Sequence, residues 1–95
     1  MMKYAVYILA SKRHGTLYIG ITNNLSKRLG EHRTGLGSKF VRDCGVTNLV
    51  HIELFDDPKT AITREKQLKK WNRDWKINLI ERENPDWLDL TPDLI

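Results

Sequence analysis

A single cysteine, Cys44, in 95 residues excludes an internal disulfide framework and fits a reducing compartment. Long apolar runs are missing too. The apolar start from Tyr4 to Ala10 is too short for a signal-peptide core with its cleavage site, and no run approaches the roughly 20 residues of a membrane helix. The expectation is therefore a cytoplasmic chain with no membrane association and no disulfide partner. No internal repeat or low-complexity tract is visible, and a chain of this length buries one modest core, so one domain over 1–95 is expected. With 40% apolar and 29% charged residues, the composition is that of a soluble globular protein and too apolar for intrinsic disorder.

Acidic residues are the scarcer sign: 16 Lys and Arg stand against 12 Asp and Glu, giving a net charge of +4. The excess is unevenly placed. Arg64, Lys66, Lys69, Lys70, Arg73 and Lys76 crowd one segment against Glu65 and Asp74, whereas Glu81, Glu83, Asp86, Asp89 and Asp93 dominate the C-terminal stretch. Such a basic face suits a phosphate backbone, and an ordinary solvated helix surface is the alternative that the residues leave open.

Lys3 to Leu9, rich in aromatic and β-branched residues, reads as a strand. Ser11-Lys12-Arg13-His14-Gly15 reads as a hairpin turn longer than two residues, and Thr16 to Thr22 as the partner strand. Tyr7 and Tyr18 then lie on neighbouring strands, within reach of one pocket. Asn23 and Asn24 are candidate helix caps, and the helical spacing that follows puts Leu25 and Leu29 on one face and Arg28 and His32 on an adjacent one. Gly35 to Asn48, with Lys39, Phe40 and Arg42, reads as a loop or short helical turn, and Leu49 to Phe55 as a third strand.

Asp57 or Pro58 is placed to start the next helix, predicted over Thr60 to Trp71 with Ala61, Glu65, Leu68, Trp71 and Trp75 along one stripe. That spacing assigns both tryptophans to the core. A short helix is expected from Asp74 to Glu83, ended by Pro85, with Trp87 and Leu90 covering the core from the tail.

Taken singly, the chemistry-bearing residues have ordinary explanations. Tyrosine is a good strand former, a lone helical arginine or histidine is commonly a surface residue, and Glu65 is spaced for an ion pair with Lys69 worth only about 0.3–0.5 kcal/mol. His14, His51 and Cys44 lack zinc-ligand spacing and receive no metal assignment.

Together they carry more. Ala5-Val6-Tyr7 and Tyr18-Ile19-Gly20, followed by Arg28, His32 and Glu65, resemble the GIY-YIG nuclease family along nearly the whole chain, with Ala5 and Val6 in place of the first Gly-Ile. The resemblance implies an α/β fold with a small three-stranded antiparallel sheet packed with helices, a topology that the order of elements also supports. It implies a metal-dependent endonuclease acting on DNA, structured or single-stranded and with RNA also compatible, using Mg²⁺ or another divalent cation. The implied catalytic set is Tyr7, Tyr18, Arg28, His32 and Glu65, with Glu65 as the metal ligand, and Lys39, Arg42, Lys66, Lys69, Lys70 and Arg73 are assigned to nucleic-acid contact. Many family members carry an asparagine shortly after the final proline where this chain has Leu88, with Asn84 and Asn78 as candidate substitutes. A nucleic-acid-binding module of the same fold that cleaves weakly or not at all is the alternative.

Overall fold

The computed structural model describes residues 3–34, with side chains to residue 31, and residues 45–91. In chain order these form β1 (Tyr4–Ala10), β2 (Leu17–Thr22), α1 (Leu25–Thr34), β3 (Asn48–Phe55), α2 (Pro58–Lys70) and α3 (Arg73–Glu83). The strands make one antiparallel sheet in the order β2-β1-β3. The central position of β1 explains its composition. A strand paired on both edges and covered on both faces has no water to meet a polar side chain, and every residue from Ala5 to Ala10 is buried.

Alternation along β1 divides the core into two. Tyr7 and Leu9 pack with Leu29, Val46 and Leu49, and Leu25 joins them, so α1 lies over this face. Val6, Ile8 and Ala10 pack with Ala61, Leu68, Leu79 and Ile80, beneath α2 and α3. Each fully buried aliphatic side chain contributes about 1.5–3 kcal/mol toward holding these layers together.

The alternation expected for β3 is broken by a bulge. Ile8 faces His51 but Leu9 faces Leu49, leaving Val50 as the extra residue. One inserted residue exchanges the faces, so Leu49 joins the tyrosine side while Val50, His51 and Glu53 lie on the side of α2 and α3.

Local caps set the helix limits. Asp57 accepts the Thr60 N–H at 2.8 Å and Pro58 occupies the first turn, so α2 begins slightly earlier than its apolar stripe suggests. At the other end Trp71 is extended (φ −64°, ψ 148°), and Asn72 caps α3 by accepting the Trp75 N–H at 2.9 Å. The placement of both tryptophans in the core needs correcting for this reason. Their spacing would share a face only on one continuous helix, and the break at Trp71 and Asn72 leaves Trp75 55% exposed. Trp71 is partly buried and packs against the core, with the guanidinium of Arg64 over its ring at 5.0 Å.

Beyond α3 the tail is tied down by Asn84. Its Nδ2 donates to the carbonyls of Val50 at 3.1 Å and Leu88 at 2.9 Å, and its Oδ1 accepts the Leu88 N–H at 3.0 Å. Trp87 is buried in the core as expected, although it needs a left-handed backbone (φ 58°) to get there.

Candidate active site

In the register of β1 and β2, Tyr7 faces Gly20 and Leu9 faces Tyr18, which places both tyrosines on one face as diagonal neighbours. Their rings are 6.4 Å apart between centroids. A Cβ at Gly20 would stand 2.5 Å from Cζ of Tyr7, inside any tolerable contact. The glycine of the Tyr18-Ile19-Gly20 triplet is thus required by the phenol that lies across it. Tyr7 is 1% exposed, whereas Tyr18 is only partly buried and presents the more accessible hydroxyl.

Burial pushes the Tyr7 phenol well above its ordinary pKa; Tyr18, Glu31 and Glu65 add to the rise, and Arg28 opposes it. These influences locate the site. Groups from β2, α1 and α2 all bear on one hydroxyl, which lies over Gly20 of the edge strand β2. Arg28 lies in the first turn of α1, where its N–H donates to the Asn24 carbonyl at 3.1 Å, and its Nε is 3.6 Å from Glu31 Oε1. Thr22 and Asn24 fix that turn: Asn24 N–H donates to Thr22 Oγ1 at 3.0 Å, and Lys27 N–H to Asn24 Oδ1 at 3.2 Å. Asn24, rather than Asn23, is the capping side chain.

Glu65 arrives from the other layer. It belongs to α2, which covers the opposite face but also packs against the edge strand β2, so its carboxylate acts on Tyr7 from beside the sheet. The ion pair foreseen with Lys69 is formed at 3.1 Å, and the Glu65 side chain is only 15% exposed. Among the described residues, no group of three or more His, Cys, Asp or Glu is gathered to hold a metal. His14 instead meets Glu81 at 2.9 Å, and His51 meets Glu53 at 2.8 Å.

Of the residues assigned to nucleic acid, Lys66, Lys69 and Lys70 are exposed along α2. Arg73 is exposed but tied to the β1–β2 loop, its Nη2 donating to the carbonyls of His14 at 2.5 Å and Gly15 at 2.6 Å. Lys39, Arg42 and the His32 side chain lie outside the described residues. Asn84 is held by backbone groups of the tail and β3, and Leu88 is exposed, so neither brings an amide toward the tyrosines.

Glu31 does not stand out in the sequence, although its position three residues after Arg28 is the signal that would have found it. Nor is the clamp on α2 visible there. Arg64 donates through Nε and Nη2 to the two oxygens of Glu53 at 2.7 and 3.0 Å, fixing the rotation of the helix that carries Glu65.

Residues 3–78 match the family model described as the GIY-YIG catalytic domain. The chain belongs to the GIY-YIG family. Within it, the chain is 42% identical over 79 residues to a UPF0213 protein of Clostridium perfringens, covering 83% of this chain and 84% of that protein. A UPF0213 protein of Syntrophus aciditrophicus is 41% identical over 87 residues, covering 90% and 98%. The solution NMR structure of a UPF0213 protein from Bacillus halodurans superposes with a TM-score of 0.58 at 28% identity, over 93% of each chain. The three-stranded antiparallel sheet packed with helices is therefore shared with a solved relative. Among the described residues, no helix of this GIY-YIG chain is long and apolar enough to cross a membrane.

Proposed function

We propose that this GIY-YIG domain is an endonuclease that hydrolyses a DNA phosphodiester bond with a water activated at the tyrosines. The observation that carries this reading is the pair of tyrosines on one face of the sheet, their rings 6.4 Å apart, with Tyr7 lying across Gly20 and Arg28, Glu31 and Glu65 near enough to perturb its phenol. Arg28, partly exposed, is placed to bind two oxygens of the phosphodiester and to offset the charge that grows on the pentacoordinate phosphorus.

Tyr7 as it stands is a neutral phenol, because burial and nearby carboxylates oppose its ionisation. It orients the attacking water by hydrogen bonding, and accepts a proton only when added positive charge favours the phenolate. Glu65 fits a divalent cation. It is a largely buried carboxylate near enough to the phenol to disfavour its ionisation, and magnesium is satisfied by one protein carboxylate with waters and phosphate oxygens completing the shell. A cation held there would supply Lewis-acid stabilisation of the phosphate oxygens, and its ligation would replace the Lys69 contact. Exposed Lys66, Lys69 and Lys70 extend the positive surface along the DNA backbone, and the compartment consistent with Cys44 is the cytoplasm.

A binding module with little activity is the second reading, favoured by one observation: Leu88 stands where the family resemblance implies an asparagine, and Asn84 is engaged elsewhere. The test is incubation of the purified protein with labelled single strands, duplexes, nicked duplexes, branched junctions and RNA, with and without Mg²⁺. Metal-dependent cleavage of a DNA substrate supports the enzyme, and binding without product supports the module.

A further inference from the structure

The link between β2 and α1 contains an amide with no structural task. Asn24 caps α1 and bonds Thr22, yet Asn23 is exposed and its side chain makes no hydrogen bond to a described residue. Asn23 also lines three cavities around this turn. One of them, about 270 Å³, has apolar walls from Tyr4, Ile21, Pro58 and Ile62 and also includes Arg28. Ile62 is 43% exposed, so its apolar side chain is accessible at this cavity.

We propose that this cavity receives the nucleobase adjacent to the scissile phosphate and that Asn23 reads its edge. The inference rests on the nuclease reading, because Arg28 belongs both to the tyrosine site and to this cavity. A strand whose phosphate is held by Arg28 therefore delivers its neighbouring base here. Size agrees, since ligand pockets for larger molecules begin at about 300 Å³ and this one holds a single ring system. The lining agrees as well. Apolar walls suit the faces of a base, while a carboxamide presents a donor beside an acceptor, the two-point match to adenine. A base must leave the duplex stack to enter a cavity, so the substrate is unpaired or extruded at this nucleotide.

Two measurements test the proposal, one of which needs no catalysis. Titration with 2′-deoxyadenosine 5′-monophosphate, followed by amide NMR, is expected to shift Ile21, Asn23 and Ile62, whereas inorganic phosphate shifts the Arg28 region and leaves Ile62 unmoved. Asn23→Ala weakens nucleotide binding about tenfold, within the range for one bidentate base contact, and Ile62→Trp fills the cavity and removes the Ile62-region shifts. Identical shifts from nucleotide and phosphate overturn the base site. The second measurement is cleavage of oligonucleotides varied at the positions flanking the cut. Wild type is expected to favour adenine at one flank, and Asn23→Ala to flatten that preference. Cleavage indifferent to both flanks overturns the inference and leaves the nuclease intact. Nucleotide shifts at Ile62 that Asn23→Ala weakens, in a protein that cleaves nothing, leave Asn23 reading a base in a binding module and remove the nuclease.

Discussion

The phenol of Tyr7 lies across the bare backbone of Gly20, its partner in the antiparallel register, and the two residues fit only as a pair. Gly20→Ala therefore forces the ring aside. It is expected to destabilise the fold by about 1–3 kcal/mol, the usual penalty for overpacking a core, and to lower activity through displacement of the hydroxyl. Urea unfolding of Gly20→Ala, Tyr7→Ala and the double variant checks the coupling. Additive effects would show that the two residues do not constrain each other.

Tyr7→Phe removes one oxygen from a ring that is otherwise packed with Leu9, Leu29 and Leu49. Stability should change little, while the single-turnover cleavage rate falls on the order of a hundredfold or more, the scale of a positioned acid–base or electrostatic group. Arg28→Ala is expected to lower the rate similarly with a modest change in DNA affinity. A Tyr7→Phe variant that cleaves at the wild-type rate removes this hydroxyl from the chemistry.

Glu65→Gln loses the carboxylate that bears on Tyr7 and pairs with Lys69. The expected result is loss of the Mg²⁺-stimulated rate with DNA affinity retained, and a stability change of about 0.3–0.5 kcal/mol from the broken helical ion pair. Lys69→Gln breaks the same pair while leaving the carboxylate. Retained metal stimulation in Lys69→Gln together with its loss in Glu65→Gln separates metal binding from the ion pair.

Replacing Lys66, Lys69 and Lys70 with Gln tests the basic face of α2. For every phosphate that a lysine no longer neutralises, the slope of log affinity against log salt should become shallower by about 0.7–0.9. The weakening should be alike for all DNA sequences. An unchanged slope in fluorescence-anisotropy titrations would mean that these lysines only solvate the helix.

Glu53 supplies a pH dependence of a different kind. Burial would raise its pKa, but hydrogen bonds from His51 and Arg64 outweigh that and hold it at about 2, below its ordinary 4.5. A pKa depressed on folding contributes stability that is full above about 4.5 and is lost as the pH falls toward 2. Glu53→Gln should therefore flatten stability against pH within that window. Chemical denaturation at a series of acid pH values measures it, and equal slopes for both proteins would contradict the assignment.

Much of this molecule is legible without coordinates. Apolar runs with a polar turn between them indicate two paired strands, because strand propensity and turn chemistry act over a few residues. The two tyrosine triplets, followed by Arg28, His32 and Glu65, then point to the family, which the match over residues 3–78 bears out. What escapes the sequence is non-local. The break between Trp71 and Trp75 depends on Asn72 capping a new helix, and the bulge at Val50 depends on pairing with β1. Neither leaves a mark in hydrophobic periodicity.

Sequence by itself determined most of the elements, the positive charge of α2 and the kinds of chemistry-bearing side chain present, since these follow from local preference and composition. Tertiary structure alone decided which of them meet. Glu65 and Arg28 come from helices on opposite faces of the sheet, and only the packing of α2 along β2 lets both act on Tyr7. The requirement for glycine at position 20 has the same origin: it arises from a cross-strand ring, and a cross-strand contact exists only once the register is set.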